Sequence, residues 1–326
     1  MIEPGTRTLP QLADIRAAAA RIADLAWPTP MLSSPWLSEV TGAEVWLKLE
    51  TMQATGSFKV RGAVNALARL RVLRPDVTDV VTASAGNHGQ ALAYAARALG
   101  LRARVYLPAA APLAKHDGLV RLGAEAISTS SYEAAEGEAH HDAATTGTPY
   151  VSPYDDADVV AGAGTVALEM IERIPALDAF FVPLGGGGLL AGTALAVRAL
   201  TTGVLLVGCE AAASPAFTSA LAAGRPVTVD VKPTIADGLA GNMEPDTITF
   251  AAVRDGVDRV DSIDEPAIVG AMRDLIRHER LIVEGASAVA IASLLRAGRS
   301  LAGRRVGIIL SGRNVDAGVI ERVLRA

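Results

Sequence analysis

Apolar and polar residues alternate along the 326-residue chain in two periods, one typical of strands and one typical of helices. Short apolar runs at 79–84 and 103–108 predict strands, and longer stretches at 57–70 and 88–100 predict helices. The rhythm continues through the second half, to a last strand over 304–310 and a final helix. Such alternation predicts parallel sheets covered by helices on both faces.

The stretch 179–197 carries no charge and is long enough to cross a bilayer, but Pro183 and four consecutive glycines interrupt it. Because irregular backbone is not tolerated in lipid, the pattern predicts a strand, a glycine loop and a buried helix, and no membrane partner. The apolar segment 149–152 predicts a further short strand.

The composition is that of an ordinary globular protein, half apolar and one fifth charged. A net charge of −5 gives no basic field to attract nucleic acid. The single cysteine, Cys209, follows an apolar run, which predicts a buried thiol. One thiol forms no internal disulfide, so we expect a reducing, cytoplasmic compartment.

The first candidate for chemistry is Lys59, in the segment TGSFKVRGA near the start of a predicted helix. The positive end of the helix dipole disfavours an ammonium group, and a neutral amine attacks carbonyl carbon. The alternative is an ordinary solvent-exposed lysine.

Two loops that follow predicted strands suit an anion. The loop SAGNHG groups Ser84, Asn87 and His88 with small residues, although His88 has the alternative of a hydrogen-bonded turn residue. The loop GGGG at 185–188 offers backbone N–H groups and a helix start to a phosphate. It also loosely matches a dinucleotide loop, with Glu210 as the required acidic residue, so a nicotinamide-dependent oxidoreductase is a competing hypothesis.

The last strand ends at LSGRNVD, which brings Ser311 to the same side of the predicted sheet. The alternative is that Ser311 or Asn314 caps the terminal helix. Together, the four loops suit a cofactor that has an aldehyde, a phosphate, a phenolic oxygen and a ring nitrogen. Pyridoxal phosphate is such a cofactor.

Five motifs in family order then resemble the fold-type II pyridoxal-phosphate enzymes, specifically the serine/threonine dehydratase and serine racemase group. They are LKLETMQATGSFKVRGA, SAGNHGQALAYAA, VPLGGGGLLAGTA, TIADGLAG and LSGRNVD. The resemblance implies an α/β fold like that of the tryptophan synthase β-subunit, with two open, twisted, mostly parallel sheets flanked by helices. It implies a large cofactor-binding domain, 1–52 and 155–326, and a small inserted domain, 53–154.

The resemblance also implies roles for individual residues. Lys59 would carry the cofactor and act as the catalytic base, and Ser84, Ala85, His88 and Tyr154 would lie near the substrate. The expected cofactor contacts are Phe58, Lys59, Asn87, Gly185, Gly186, Gly187, Gly188, Leu189, Gly238 and Ser311.

The implied reaction is β-elimination of a β-hydroxy-L-amino acid, such as threonine or serine, to a 2-oxo acid and ammonia. A neutral Ser311 at the ring nitrogen favours prompt loss of the hydroxyl over reprotonation. Arg313 and the segment VEGASA at 283–288 resemble dehydratases of hydroxyectoine breakdown. Less common substrates, such as 3-hydroxyaspartate, phenylserine or a hydroxyectoine-derived compound, are therefore alternatives.

Three further expectations follow from the resemblance. Ala85 stands where serine racemases carry a serine, so efficient racemisation is not expected. The family's metal position reads Glu210, Ser214 and Ala216, which lacks a third ligand, so we expect no metal there. A homodimer or homotetramer is expected.

His140 and His141 point about 100° apart on a predicted helix, which favours a solvated face.

Overall fold

The computed structural model describes residues 8–111 and 113–326. The first seven residues of the predicted segment 1–52 therefore lie outside the described part. Within the described ranges, the chain forms an α/β fold with two sheets, one of six strands and one of three. This agrees with the predicted pair of mostly parallel sheets.

The larger sheet has the strand order β1–β2–β9–β6–β7–β8. All neighbouring pairs are parallel except β1 and β2. Its strands are β1 (Met31–Ser33), β2 (Glu44–Leu49), β6 (Ala179–Pro183), β7 (Leu205–Ala211), β8 (Arg259–Ile263) and β9 (Arg305–Leu310).

The smaller sheet is parallel, in the order β3–β4–β5. Its strands are β3 (Asp79–Ala83), β4 (Arg102–Pro108) and β5 (Glu125–Thr129). The strand predicted over 149–152 is reduced to one bridge between Val81 and Tyr150. The three-stranded sheet falls inside the range 53–154, and the domain boundaries themselves stay a prediction.

Helices cover both faces of both sheets. They are α1 (Leu12–Ile22), α2 (Pro35–Thr41), α3 (Lys59–Leu73), α4 (Asn87–Ala98), α5 (Leu113–Arg121), α6 (Tyr132–Thr146), α7 (Ala157–Arg173), α8 (Gly188–Leu200), α9 (Ala216–Ala223), α10 (Ile248–Gly256), α11 (Glu265–Asp274), α12 (Gly285–Ala297) and α13 (Ala317–Arg325). Short helical turns occupy Glu50–Met52, Asp237–Leu239, Leu275–Glu279 and Gly298–Leu301.

The alternation of side chains along each strand explains why helices are needed on both sides. Phe180 and Phe181 are both fully buried, yet they belong to different apolar clusters. Phe181 packs on the side of α2, α11 and α12, and Phe180 on the side of α1, α7 and α8. Val80 and Val81 divide in the same way in the smaller sheet.

The charge-free stretch behaves as its glycines predict. Residues 179–183 form β6, a loop follows, and α8 begins at Gly188. Across 8–111 and 113–326, no helix combines the length and hydropathy that a bilayer crossing requires.

Candidate active site

Lys59 is the first residue of α3 and follows Phe58 directly. Its Nζ donates a hydrogen bond to the carbonyl oxygen of Pro153 at 2.8 Å and lies 5.2 Å from the centre of the Phe58 ring. Gly56 makes the turn into this helix with a φ of +73°, and a Cβ there would lie 2.7 Å from Asn314 Oδ1. The solvent-exposed alternative for Lys59 is therefore wrong.

The environment of Lys59 favours a neutral amine. Burial lowers the pKa of Lys59 to about 8, and the charge of Glu284 opposes that shift. The side chain keeps some exposed surface, so the amine is enclosed but still reachable. The direction agrees with the prediction from the helix dipole, but the main cause is desolvation.

The loop before Lys59 pairs with the loop after β9. The Phe58 N–H donates to the carbonyl oxygen of Ser311 at 2.9 Å, and Ser57 forms an antiparallel bridge with Gly312. Ser311 is buried beside this pairing. The capping alternative is wrong, because α13 begins only after Asp316. The structure thus brings Ser311 next to the start of α3.

Asn87, the first residue of α4, is held from two sides. Its Nδ2 donates to both carboxylate oxygens of Glu284, at 2.8 and 3.0 Å. Its Oδ1 accepts a hydrogen bond from Asn314 Nδ2 at 2.6 Å. Glu284 had no role predicted from the sequence, and Asn314 was predicted only as a possible cap. Both lie in sequence motifs, VEGASA and LSGRNVD, which is the signal that could have found them.

Glu284 is an unusual carboxylate. Burial raises the pKa of Glu284 to about 7, and the hydrogen bond from Asn87 opposes the shift. Near neutral pH it therefore exists in both protonation states. Because it contacts Asn87 and influences Lys59, it links two of the predicted site residues.

His88 is buried, with Nε2 at 3.0 Å from the carbonyl oxygen of Val151. A carbonyl oxygen only accepts, so Nε2 carries the proton and Nδ1 is an acceptor. Burial, with a contribution from Lys59, lowers the pKa of His88 to about 3, which keeps the ring neutral. Beside it, Ser84 Oγ accepts from the Gly86 N–H at 3.2 Å, and Ala85 is half-buried.

The glycine loop needs its glycines for close packing. A Cβ at Gly186 would lie 2.3 Å from Tyr154 Cδ1, and Gly187 has a φ of +90°. A Cβ at Gly185 would lie 3.3 Å from the carbonyl oxygen of Gly238, so these two predicted cofactor contacts are neighbours. The loop opens onto the first turn of α8, which contains Gly188 and Leu189.

Tyr154 joins the glycine loop to a more distant segment. Its ring lies over Gly186, as the close contact shows. Its hydroxyl oxygen accepts a hydrogen bond from the Glu244 N–H at 3.1 Å. Since Lys59 contacts the carbonyl of the preceding Pro153, the segment 153–154 connects the lysine with the glycine loop.

A buried ionic network supports α3 just beyond Lys59. Arg61 is 1% exposed and forms ion pairs with Glu50 and Glu169. No role for Arg61 was predicted from the sequence. A charged residue such as Arg61 usually lies on the surface, so the sequence gives no sign of its burial. In the fold, Glu50 from the turn after β2 and Glu169 from α7 surround its guanidinium group.

Glu210 has a different use from the two that the sequence suggested. Its carboxylate accepts the N–H groups of Phe217 and Thr218, at 3.0 and 3.1 Å, and so binds the start of α9. Glu210 is 1% exposed, so its carboxylate is not accessible to the ribose of a dinucleotide. The expectation about a metal at this position stays a prediction.

Comparison with known proteins decides the family. Residues 22–312 match the family described as pyridoxal-phosphate dependent enzymes. The chain belongs to this family.

Individual relatives agree with that assignment. The L-threonine ammonia-lyase of Thermotoga maritima is 37% identical, over 96% of this chain and 78% of its own. The L-threo-3-hydroxyaspartate ammonia-lyase of Saccharomyces cerevisiae is 38% identical, over 94% of each chain. The solved structure of maize serine racemase superimposes with a TM-score of 0.90 and 33% identity, over 98% of each chain. The fold is thus that of the fold-type II enzymes.

The described site fits pyridoxal phosphate, the cofactor of this family. Among the residues described, three buried side-chain atoms next to the Lys59 and Asn87 loops lack a hydrogen-bond partner, namely Thr55 Oγ1, Ser57 Oγ and His88 Nδ1. A polar ligand would satisfy such groups. The glycine cradle and the N-terminus of α8 suit its phosphate, and the Lys59 amine suits its aldehyde.

Proposed function

We propose that the protein is an ammonia-lyase that converts a β-hydroxy-L-amino acid, such as threonine or serine, into a 2-oxo acid and ammonia. The observation that carries this proposal is the enclosed Lys59 amine with a pKa of about 8. About a tenth of such an amine is neutral at pH 7. The names of the Thermotoga and yeast relatives, both ammonia-lyases, support the same reaction class.

The cofactor would be held by residues from all four predicted loops. When bound, pyridoxal phosphate supplies an aldehyde for an amine and a ring that withdraws electrons from the α-carbon. The glycine loop with Leu189 would hold the phosphate, Asn87 the phenolic oxygen, Ser311 the ring nitrogen, and Phe58 and Gly238 the two ring faces.

Lys59 would move the proton at the α-carbon. Its neutral amine is a base of suitable strength, and the hydrogen bond to the Pro153 carbonyl restrains its position. Loss of the α-proton and the β-hydroxyl releases one water. Hydrolysis of the resulting enamine consumes one water and gives the 2-oxo acid and ammonia.

The substrate carboxylate would lie at the start of α4, near Ser84, Ala85 and His88. The His88 ring offers an acceptor there and no donor, because its Nε2–H is used by Val151. We therefore assign the carboxylate to backbone N–H groups at the helix N-terminus. Ala85 has no proton to transfer to the opposite face of the α-carbon, which favours elimination over racemisation.

The wall near Tyr154 favours an uncharged side chain on the substrate. After burial, the charges of Glu244 and Glu136 raise the pKa of Tyr154, so both carboxylates are close to it. As long as no cation is bound between them, these two carboxylates would repel the second carboxylate of 3-hydroxyaspartate. Threonine or serine therefore ranks ahead of that alternative, which the name of the yeast relative suggests.

We also infer a homo-oligomer in a reducing, cytoplasmic environment. Trp27, Met52 and Ile282 leave about half of their surfaces exposed, at 52%, 47% and 47%. Cys209 is fully buried and free. Light scattering on the purified protein would distinguish a dimer from a tetramer, and a monomer would contradict the inference.

The test is a 2-oxo acid assay on cofactor-loaded enzyme with threonine, serine and threo-3-hydroxyaspartate. We expect release from threonine or serine, less from hydroxyaspartate, and none with Lys59→Ala. Wild-type protein that binds the cofactor but releases 2-oxo acid from no β-hydroxy amino acid would rule out the lyase. A parallel NADH titration examines the oxidoreductase alternative, and we expect no binding.

A further inference from the structure

Outside the cofactor site, three metal-ligating side chains from two segments converge. Glu136 and His140 are four residues apart on α6, which places them on one face of the helix. Glu244 comes from the loop before α10. One ligand atom from each of the three lies within 4.8 Å of the other two. His140 therefore has Glu136 and Glu244 as neighbours, and its side chain is exposed, in agreement with the solvated face predicted from the sequence.

Contacts on both sides position these groups. The His140 ring stacks on Tyr150, with ring centres 4.0 Å apart and planes at 30°. On the other side, the Glu244 N–H donates to the Tyr154 hydroxyl. Asp155 Oδ1 accepts the Ile248 N–H at 2.8 Å, which ties the rest of that loop to the same region.

The charges around the cluster favour a cation. The basic side chain of Arg104 pairs with Asp142, further along α6. Within the described ranges, the Glu136 carboxylate therefore has no lysine or arginine partner.

We propose that Glu136, His140 and Glu244 bind one divalent transition-metal cation, such as Zn²⁺ or Mn²⁺. Two carboxylate oxygens and one imidazole nitrogen suit these ions, whereas Mg²⁺ and Ca²⁺ prefer oxygen alone. Metal–ligand bonds of about 2.0–2.2 Å bring ligand atoms to roughly 3–4 Å from each other, so small side-chain rotations would close the site.

The position of this site gives the cation a structural role. It would join α6, in the predicted small domain, to the 241–247 loop of the predicted large domain. Tyr154 contacts both Glu244 and Gly186. The cation would therefore hold α6 against the segment that lines the glycine loop, and its binding should stabilise this contact.

The test is calorimetric titration of chelator-treated, cofactor-loaded enzyme with ZnSO4, followed by counting of retained zinc. We expect one Zn²⁺ per wild-type chain and a rise in Tm. Glu244→Gln and His140→Asn should each weaken binding at least tenfold. His141→Asn, the next residue on the same helix, is the matched control and should bind as the wild type does.

Two results would overturn the proposal. One is zinc binding that His140→Asn leaves unchanged, which would place the metal elsewhere on the chain. The other is absence of binding by the wild type below millimolar zinc. Glu136→Gln gives a second, nearly isosteric variant if His140→Asn fails to fold, and the cofactor absorption band reports folding. Because the readout is metal binding, the result is independent of the proposed lyase activity.

Discussion

Lys48 and Lys59 lie in one sequence motif and are both enclosed by protein, but their surroundings differ. Lys48 is 1% exposed and lies against two carboxylates, in contact with Glu169 and 3.9 Å from Glu50. It also donates to the carbonyl oxygen of Thr29 at 2.8 Å. Lys59 donates to a single backbone carbonyl, that of Pro153.

The difference shows what separates a structural lysine from a reactive one. Burial lowers the pKa of Lys48, and the charges of Glu50 and Glu169 oppose it. Burial lowers the pKa of Lys59 to about 8, and Glu284 alone opposes it. Desolvation thus lowers the pKa of both lysines. Only Lys48 is in contact with carboxylates, which hold its ammonium group in an ion pair.

The largest effect should follow from Lys59→Ala. Without the amine, the protein should lose the cofactor absorption band in the near-visible range, and 2-oxo acid release should fall at least about 10³-fold. Absorption spectra and the 2-oxo acid assay measure both. Retention of activity would show that the comparison assigns the chemistry to the wrong lysine.

Lys48→Met should lower the free energy of unfolding without removing the reactive amine of Lys59. Removing one partner from a buried ionic network leaves uncompensated charge, so the free energy of unfolding should fall by about 3 kcal/mol. Urea denaturation measures this, and the cofactor band should persist. The exposed Lys232→Met is the control, with an expected change below about 0.5 kcal/mol. Loss of the band at unchanged stability would reverse the two roles.

The pH dependence of cofactor uptake should report the lowered pKa of Lys59. The neutral amine reacts, so the uptake rate of the apo-protein should rise with pH as the proton leaves Lys59. The midpoint should lie near pH 8 and not near the ordinary lysine value of 10.5. Stopped-flow absorbance measures the rate. A midpoint above about 10 would mean that burial does not control this amine.

Glu284→Gln should shift that midpoint downward. Glu284, with a pKa of about 7, is mostly charged at pH 8, and its charge raises the pKa of Lys59. Its removal should lower the midpoint by less than about one pH unit, or about 1 kcal/mol. Glu284→Asp keeps the charge and serves as the control. An upward shift would contradict a direct effect of the Glu284 charge on Lys59.

Some local expectations from the sequence were wrong because they ignored distant partners. The segment 149–152 has the composition of a strand, yet it meets the smaller sheet through one bridge, at Tyr150. Asn314 is of a residue type that commonly caps helices, yet its side chain donates hydrogen bonds to Thr55 and Asn87. In the first case, the Val151 carbonyl oxygen is bonded by the side chains of Thr82 and His88. In the second case, the contacts remote in sequence override the local preference of Asn314.

The sequence by itself determined the alternation of strands and helices, the glycine turn before α8, and the place of Lys59 at a helix start. These features depend on residue period and backbone freedom, which short stretches of chain encode. Only the tertiary structure decided that Glu284 orients Asn87, that carboxylates surround Lys48 but not Lys59, and that Glu136, His140 and Glu244 meet. The physical reason is that these contacts join segments far apart in the chain, 197 residues in the case of Asn87 and Glu284. Their charges and pKa values depend on burial, which local pattern does not specify.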